Sequence, residues 1–109
     1  MANSPTQRTL KFYRDKGWIC QVVEKWNPFA KIRQDLFGFI DIVAITEGKI
    51  VGIQSTSASH HSARKKKILD SDVSKDWLNA NGLIIVSSWK KGSNGRYTHR
   101  EEYLTQSPS

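Results

Sequence analysis

Apolar and polar positions along the chain fall into blocks with two different periods. Near the N-terminus, Leu10 and Tyr13 recur at a spacing of three within polar sequence, and Ser4-Pro5-Thr6-Gln7 stands in front of them. Ser at the N-cap, Pro at the first helical position and Gln three residues after the Ser form a capping box. A helix is therefore predicted from there to Gly17, which supplies its stop. Residues 19–26 are rich in Ile, Val and Trp and alternate, which predicts a strand with Cys20, Val22, Glu24 and Trp26 on one face. Asn27-Pro28 ends it, and residues 29–34 read as a loop or short turn. Residues 39–45 and 50–56 are nearly continuous apolar runs, as expected of strands covered on both faces. Thr46-Glu47-Gly48-Lys49 reads as the hairpin turn between them. Ser57 to Ser59 can cap a basic helical stretch at 60–69, and a second helical piece spans 73–80. Residues 83–89 read as a strand, 90–95 as a turn, 96–104 as a more polar edge strand and 105–109 as a frayed tail. The order α-β-β-β-α-β-β predicts an α/β fold, a mixed β-sheet flanked by helices, in a single domain spanning 1–109.

Composition adds a partner class to this picture. Lys and Arg number 17 against 10 acidic residues, a net charge of +7. Such an excess favours a polyanion, and nucleic acid is the usual one. Cys20 is the only cysteine, so no intrachain disulfide forms, and its apolar strand neighbours place it in the core. No apolar run approaches the ~20 residues of a membrane span, and the polar start lacks a secretory stretch. An intracellular, cytoplasmic protein is the expectation.

Three polar side chains sit where burial is expected. Asp41 interrupts Phe39-Ile40-Asp41-Ile42-Val43, Gln54 interrupts Ile50-Val51-Gly52-Ile53-Gln54, and Glu24 interrupts Val22-Val23-Glu24. A carboxylate in such a run costs several kcal/mol, of order ~3–5, unless it is compensated. The hairpin brings Asp41 and Gln54 side by side, while alternation puts Gln54 and Thr56 on one face and points Ser55 away. Asp41, the Gln54 amide oxygen and the Ser55 carbonyl are hard oxygen donors suited to Mg²⁺. The lysines and arginine of residues 60–69 follow directly, so Arg64, Lys65, Lys66 and Lys67, with Arg33, His60 and Lys90, are candidate phosphate contacts. The adjacent His60 and His61 lack a third soft ligand, which argues against a zinc site.

Asp41-Ile42-Val43-Ala44-Ile45, a Gly turn and Ile50-Val51-Gly52-Ile53-Gln54-Ser55-Thr56 resemble the second and third core strands of the PD-(D/E)XK nuclease superfamily. The pattern is most similar to Holliday-junction resolvases and virus-type replication-repair nucleases. The stretch from Glu24 through Asp41 resembles small phage-borne and bacterial members. The resemblance implies a restriction-endonuclease-like core and a Mg²⁺- or Mn²⁺-dependent endonuclease acting on duplex or branched DNA, as a monomer or homodimer, in the host cell if phage-encoded. It makes Asp41 the main metal ligand, puts Gln54 in place of the third-strand acid, and puts Thr56 where the catalytic Lys stands. Asp35 or Glu24 would then restore the missing carboxylate, and Lys66 or a neighbour the missing cation. The same departures define an alternative, a catalytically silent DNA-binding module.

Overall fold

In the computed structural model, which describes residues 4–105, helix α1 (Pro5–Asp15) starts at the predicted cap. The Ser4 hydroxyl accepts a hydrogen bond from the Gln7 N–H at 3.2 Å. Leu10 and Tyr13 are buried, and Gly17 takes a φ of 89° just beyond the helix, a conformation that costs glycine nothing. The last four residues of the expected tail, 106–109, lie outside the described residues.

The remaining elements are β1 (Ile19–Val22), β2 (Lys25–Asn27), β3 (Ile32–Gln34), β4 (Ile42–Thr46), β5 (Lys49–Ser57), a 3₁₀ turn (Ala58–His60), α2 (His61–Leu69), α3 (Asp72–Asn79), β6 (Leu83–Lys91) and β7 (Tyr97–Leu104). Five strands form a sheet in the order β1-β4-β5-β6-β7; β2 and β3 form a separate hairpin. All pairs in the larger sheet are antiparallel except β5–β6, which is parallel and joined through α2 and α3. The mixed sheet flanked by helices is as expected, and β7 lies at an edge. The Glu47-Gly48 turn holds both residues at positive φ, as a two-residue hairpin loop requires.

The element order differs from the one predicted. The strand expected over 19–26 stops at Val22, because there the chain leaves the sheet. It returns through a hairpin: the Asn27 side chain accepts from the Phe29 and Ala30 N–H groups at 3.0 and 3.1 Å, and Lys31 takes a φ of 55°. Residues 29–34 are thus the tip and second strand of that hairpin rather than a loop, and Glu24 and Trp26 do not share a sheet face with Cys20 and Val22. The strand expected from 39 begins at Ile42, since Phe37 and Gly38, both at positive φ, turn the chain beneath a Leu36–Ile40 bridge. The observed order is α-β-β-β-β-β-α-α-β-β.

Both faces of the sheet are covered, which explains the near-continuous apolar runs. Leu10 and Tyr13 of α1 pack with Cys20, Ile42, Ala44, Ile53 and Ile85 on one face. Ile68 of α2, with Trp77 and Leu78 of α3, packs with Phe39, Ile40, Ile84 and Val86 on the other. Ile40 lies across β5 at Gly52, where a Cβ would stand 2.8 Å from Ile40 Cδ1. The glycine leaves room for Ile40 and so seats the residue next to it, Asp41. No helix among the described residues is long and apolar enough to cross a membrane.

Candidate functional site

Asp41 sits one residue before β4, yet it is held as firmly as a strand residue. Its N–H donates to the Ile53 carbonyl at 2.9 Å, and its carbonyl accepts from the Val23 N–H at 2.8 Å. Its side chain is buried, with the residue only 3% exposed. Oδ2 accepts from three donors: Gln54 Nε2 at 2.8 Å, the Ser55 N–H at 2.9 Å and Ser55 Oγ at 3.1 Å. Because β4 begins at Ile42, it offers no carbonyl opposite Ser55, and the carboxylate takes that place. Ser55 faces the α1 layer, as alternation predicts, and its hydroxyl lies 2.9 Å from Thr6 Oγ1. It nevertheless reaches Asp41, so Ser55 does not simply point away from the site. The Gln54 amide likewise serves Asp41 as a donor through its nitrogen.

Two further carboxylates flank the hairpin: Glu24 precedes β2 and Asp35 follows β3. One oxygen each of Glu24, Asp35 and Asp41 lies within 4.8 Å of the others. Glu24 also accepts from Arg33 Nη1 at 3.0 Å. Burial, followed by a hydrogen bond with Asp35 and the charges of Asp35 and Glu24, pushes the Asp41 carboxyl up to about 8, against the lowering effect of the Ser55 N–H. With Oδ2 fully engaged by donors, Oδ1 is the oxygen free to carry the proton.

The three carboxylates border a cavity of about 410 Å³ whose other walls are residues 54–57, Arg33, Arg64 and the first turn of α1. Arg64 projects into it from α2, half-buried and with no ion-pair partner among the described residues. Thr56 is also on the wall. Lys66 and Lys67 are exposed on α2 and do not line the cavity. Lys65 is turned the other way, onto Glu102 at 2.6 Å. His60 Nδ1 lies 2.8 Å from Ser57 Oγ. Lys90, with Lys91 and Trp89, lines a neighbouring depression of about 440 Å³ that shares Ser57 with the first.

His61, which the sequence reading set aside as a zinc ligand, is a buried polar group whose partners that reading did not anticipate. His61 is enclosed, with Nδ1 2.6 Å from Ser88 Oγ and Nε2 2.8 Å from Glu102 Oε1. The i,i+4 spacing of His61 and Lys65, which puts both on one helix face, was the available signal. The donor set of the cavity suits a hard divalent cation: three carboxylates, one of them buried, whose mutual repulsion a cation relieves. The chain matches no family model, and comparison with curated proteins and with solved structures returns no match.

Proposed function

We propose that this protein is a divalent-metal-dependent DNA endonuclease of the PD-(D/E)XK type. The observation that carries the reading is the convergence of Glu24, Asp35 and Asp41 in a cavity that Arg64 also lines. In this reading Mg²⁺ or Mn²⁺ is held by those three carboxylates. Such a cation, when bound, supplies Lewis acidity toward a phosphodiester and an attacking water. Gln54 and Ser55 orient Asp41 by binding Oδ2, which leaves Oδ1 clear of those donors. Arg64 binds a non-bridging phosphate oxygen, the charge that Thr56 cannot provide. Thr56 offers a hydroxyl to position water. The net charge of +7 fits a DNA partner, duplex or branched.

Incubating the protein with linear, nicked and four-way DNA in Mg²⁺ or Mn²⁺ tests this. Strand cleavage is expected only with the cation. Arg64→Ala should slow it by roughly 10²–10³-fold, the usual cost of removing a donor to a developing oxyanion, and Asp41→Ala should abolish it. Absence of cleavage, or an Asp41→Ala variant as active as wild type, sinks the proposal. A second reading, a silent DNA-binding module, is favoured by one observation: no lysine lines the cavity among the described residues. It predicts metal-independent DNA binding that survives Asp41→Ala.

A further inference from the structure

Core packing does not explain the sequence of the β2–β3 hairpin. It stands apart from the five-stranded sheet. A lone two-stranded hairpin gains little stability by itself. Yet it exposes three large apolar side chains: Phe29 at its tip is 97% exposed, Trp26 55% and Ile32 51%. They bury little against the core, so packing does not account for them.

Local chemistry presets the tip. The Asn27 side chain ties down the Phe29 and Ala30 N–H groups, and Pro28 fixes its own φ. Phe29 is thus presented on an ordered turn. Trp26 pairs directly with Arg33, and directly opposed residues share a hairpin face. Arg33 lines the carboxylate cavity and bonds Glu24. The indole therefore lies on the hairpin face that continues into the cavity wall. Lys25 and Lys31, both exposed, complete an arm that is apolar and cationic at once.

Resting on the nuclease reading above, we infer that this arm is a stacking wedge for DNA. Trp26 takes an unpaired or splayed base beside the cleavage site, Phe29 inserts at a base step, and the lysines hold the flanking phosphates. Apolar side chains wedged between base steps and aromatic faces under unpaired bases are established ways of engaging distorted nucleic acid. The cationic flanks single out a polyanion rather than an apolar protein groove as the occupant. The substrate class that follows is DNA with a disrupted stack, such as a branch point, in preference to continuous duplex.

The test uses the whole protein without divalent metal, so that binding is read apart from cleavage. Fluorescence anisotropy compares a four-way junction carrying 2-aminopurine at the branch with a matched linear duplex. Wild type is expected to favour the junction and to change the 2-aminopurine emission. Phe29→Ala and Trp26→Ala should each weaken junction binding roughly ten-fold, leave duplex binding unchanged and retain the wild-type circular dichroism and melting temperature. Equal loss on both DNAs, no loss on either, or no junction preference in wild type overturns the wedge. So does a dimer, seen by sedimentation, that Phe29→Ala converts to monomer, because the arm would then dock on a second copy. Junction binding that depends on Phe29, with no cleavage in Mg²⁺, would fail the nuclease reading alone. Cleavage whose selectivity ignores Phe29 and Trp26 would fail the wedge alone.

Discussion

At the scale of the residue, Asp41 was the most legible feature, because a carboxylate inside an apolar run has few stable explanations. The structure specifies its setting: three donors on Oδ2 and two acids nearby. Gln54 was legible as a neighbour of Asp41 but not as its donor, since an amide carries both a donor and an acceptor and sequence does not choose between them. Arg64 was one cation among four on its helix; which of them enters the cavity depends on the roll of α2 against the sheet. The raised Asp41 carboxyl has a consequence for stability in metal-free buffer. The folded protein keeps this proton up to about pH 8, whereas the unfolded chain releases it near ~4. Between those values the native state binds more protons, so this group's contribution to stability falls as pH rises and is smallest above pH 8. Asp41→Asn retains an oxygen for the three donors and places an amide N–H where the shared proton lies. The variant should therefore gain on wild type progressively from about pH 4 to 8, reaching on the order of 1–3 kcal/mol. Urea titrations of both proteins across that range, in chelator, check it; a pH-independent difference would refute the assignment.

At the scale of the element, apolar periodicity located α1, β4, β5 and β6, because burial on one or both faces writes itself into the sequence. The β2–β3 hairpin was missed for the converse reason. Its strands are three residues each and largely exposed, and they are shaped by an Asn27 side-chain cap and a Lys31 backbone at positive φ that no burial pattern encodes. The edge strand β7 was read as polar and peripheral, but its adjacent acids clip the two helix layers. Glu101 accepts from Tyr13 Oη of α1 at 2.5 Å, and Glu102 receives His61 and Lys65 of α2 on the other face. Bonds from Lys65 first, and then His61, hold the Glu102 carboxyl below the usual carboxylate range. Its contribution is therefore present above the unfolded-state value of about 4.3 and is lost as pH falls through the lower folded value. Glu102→Gln keeps the shape but removes the charge that binds Lys65, leaving the buried His61 with a weaker partner. A loss of about 1–3 kcal/mol is expected at pH 7, and it should shrink toward acid. Equilibrium urea denaturation at both ends of the range measures this. Because α2 also carries Arg64, the same variant should slow cleavage, whereas a change confined to stability would mean that α2 docks without Glu102.

At the scale of the whole molecule, charge is distributed unevenly with respect to the chemistry. Three carboxylates are gathered in one cavity, and cations occur on neighbouring elements: Arg64 lines the cavity, Lys25 and Lys31 are on the arm, and Lys90 and Lys91 are at the end of β6 in the depression that shares Ser57. A DNA backbone running from the arm across the cavity to β6 would meet about five of these groups. Each neutralised phosphate releases condensed counterions, so the logarithm of the binding constant should fall against log salt with a slope near −4 to −5. Between 50 and 200 mM salt that is roughly a 10²–10³-fold loss of affinity for duplex. Replacing Lys90 and Lys91 together by Ala should lower the slope by about two without altering base-stack preference, because phosphate contacts position DNA but carry no information on its stacking. Removing Phe29 should do the opposite, leaving the slope intact while cutting the preference for the junction roughly ten-fold. Anisotropy titrations at four salt concentrations, on duplex and junction, separate these effects. An unchanged slope in the Lys90/Lys91 variant would show that the backbone takes another route over the surface.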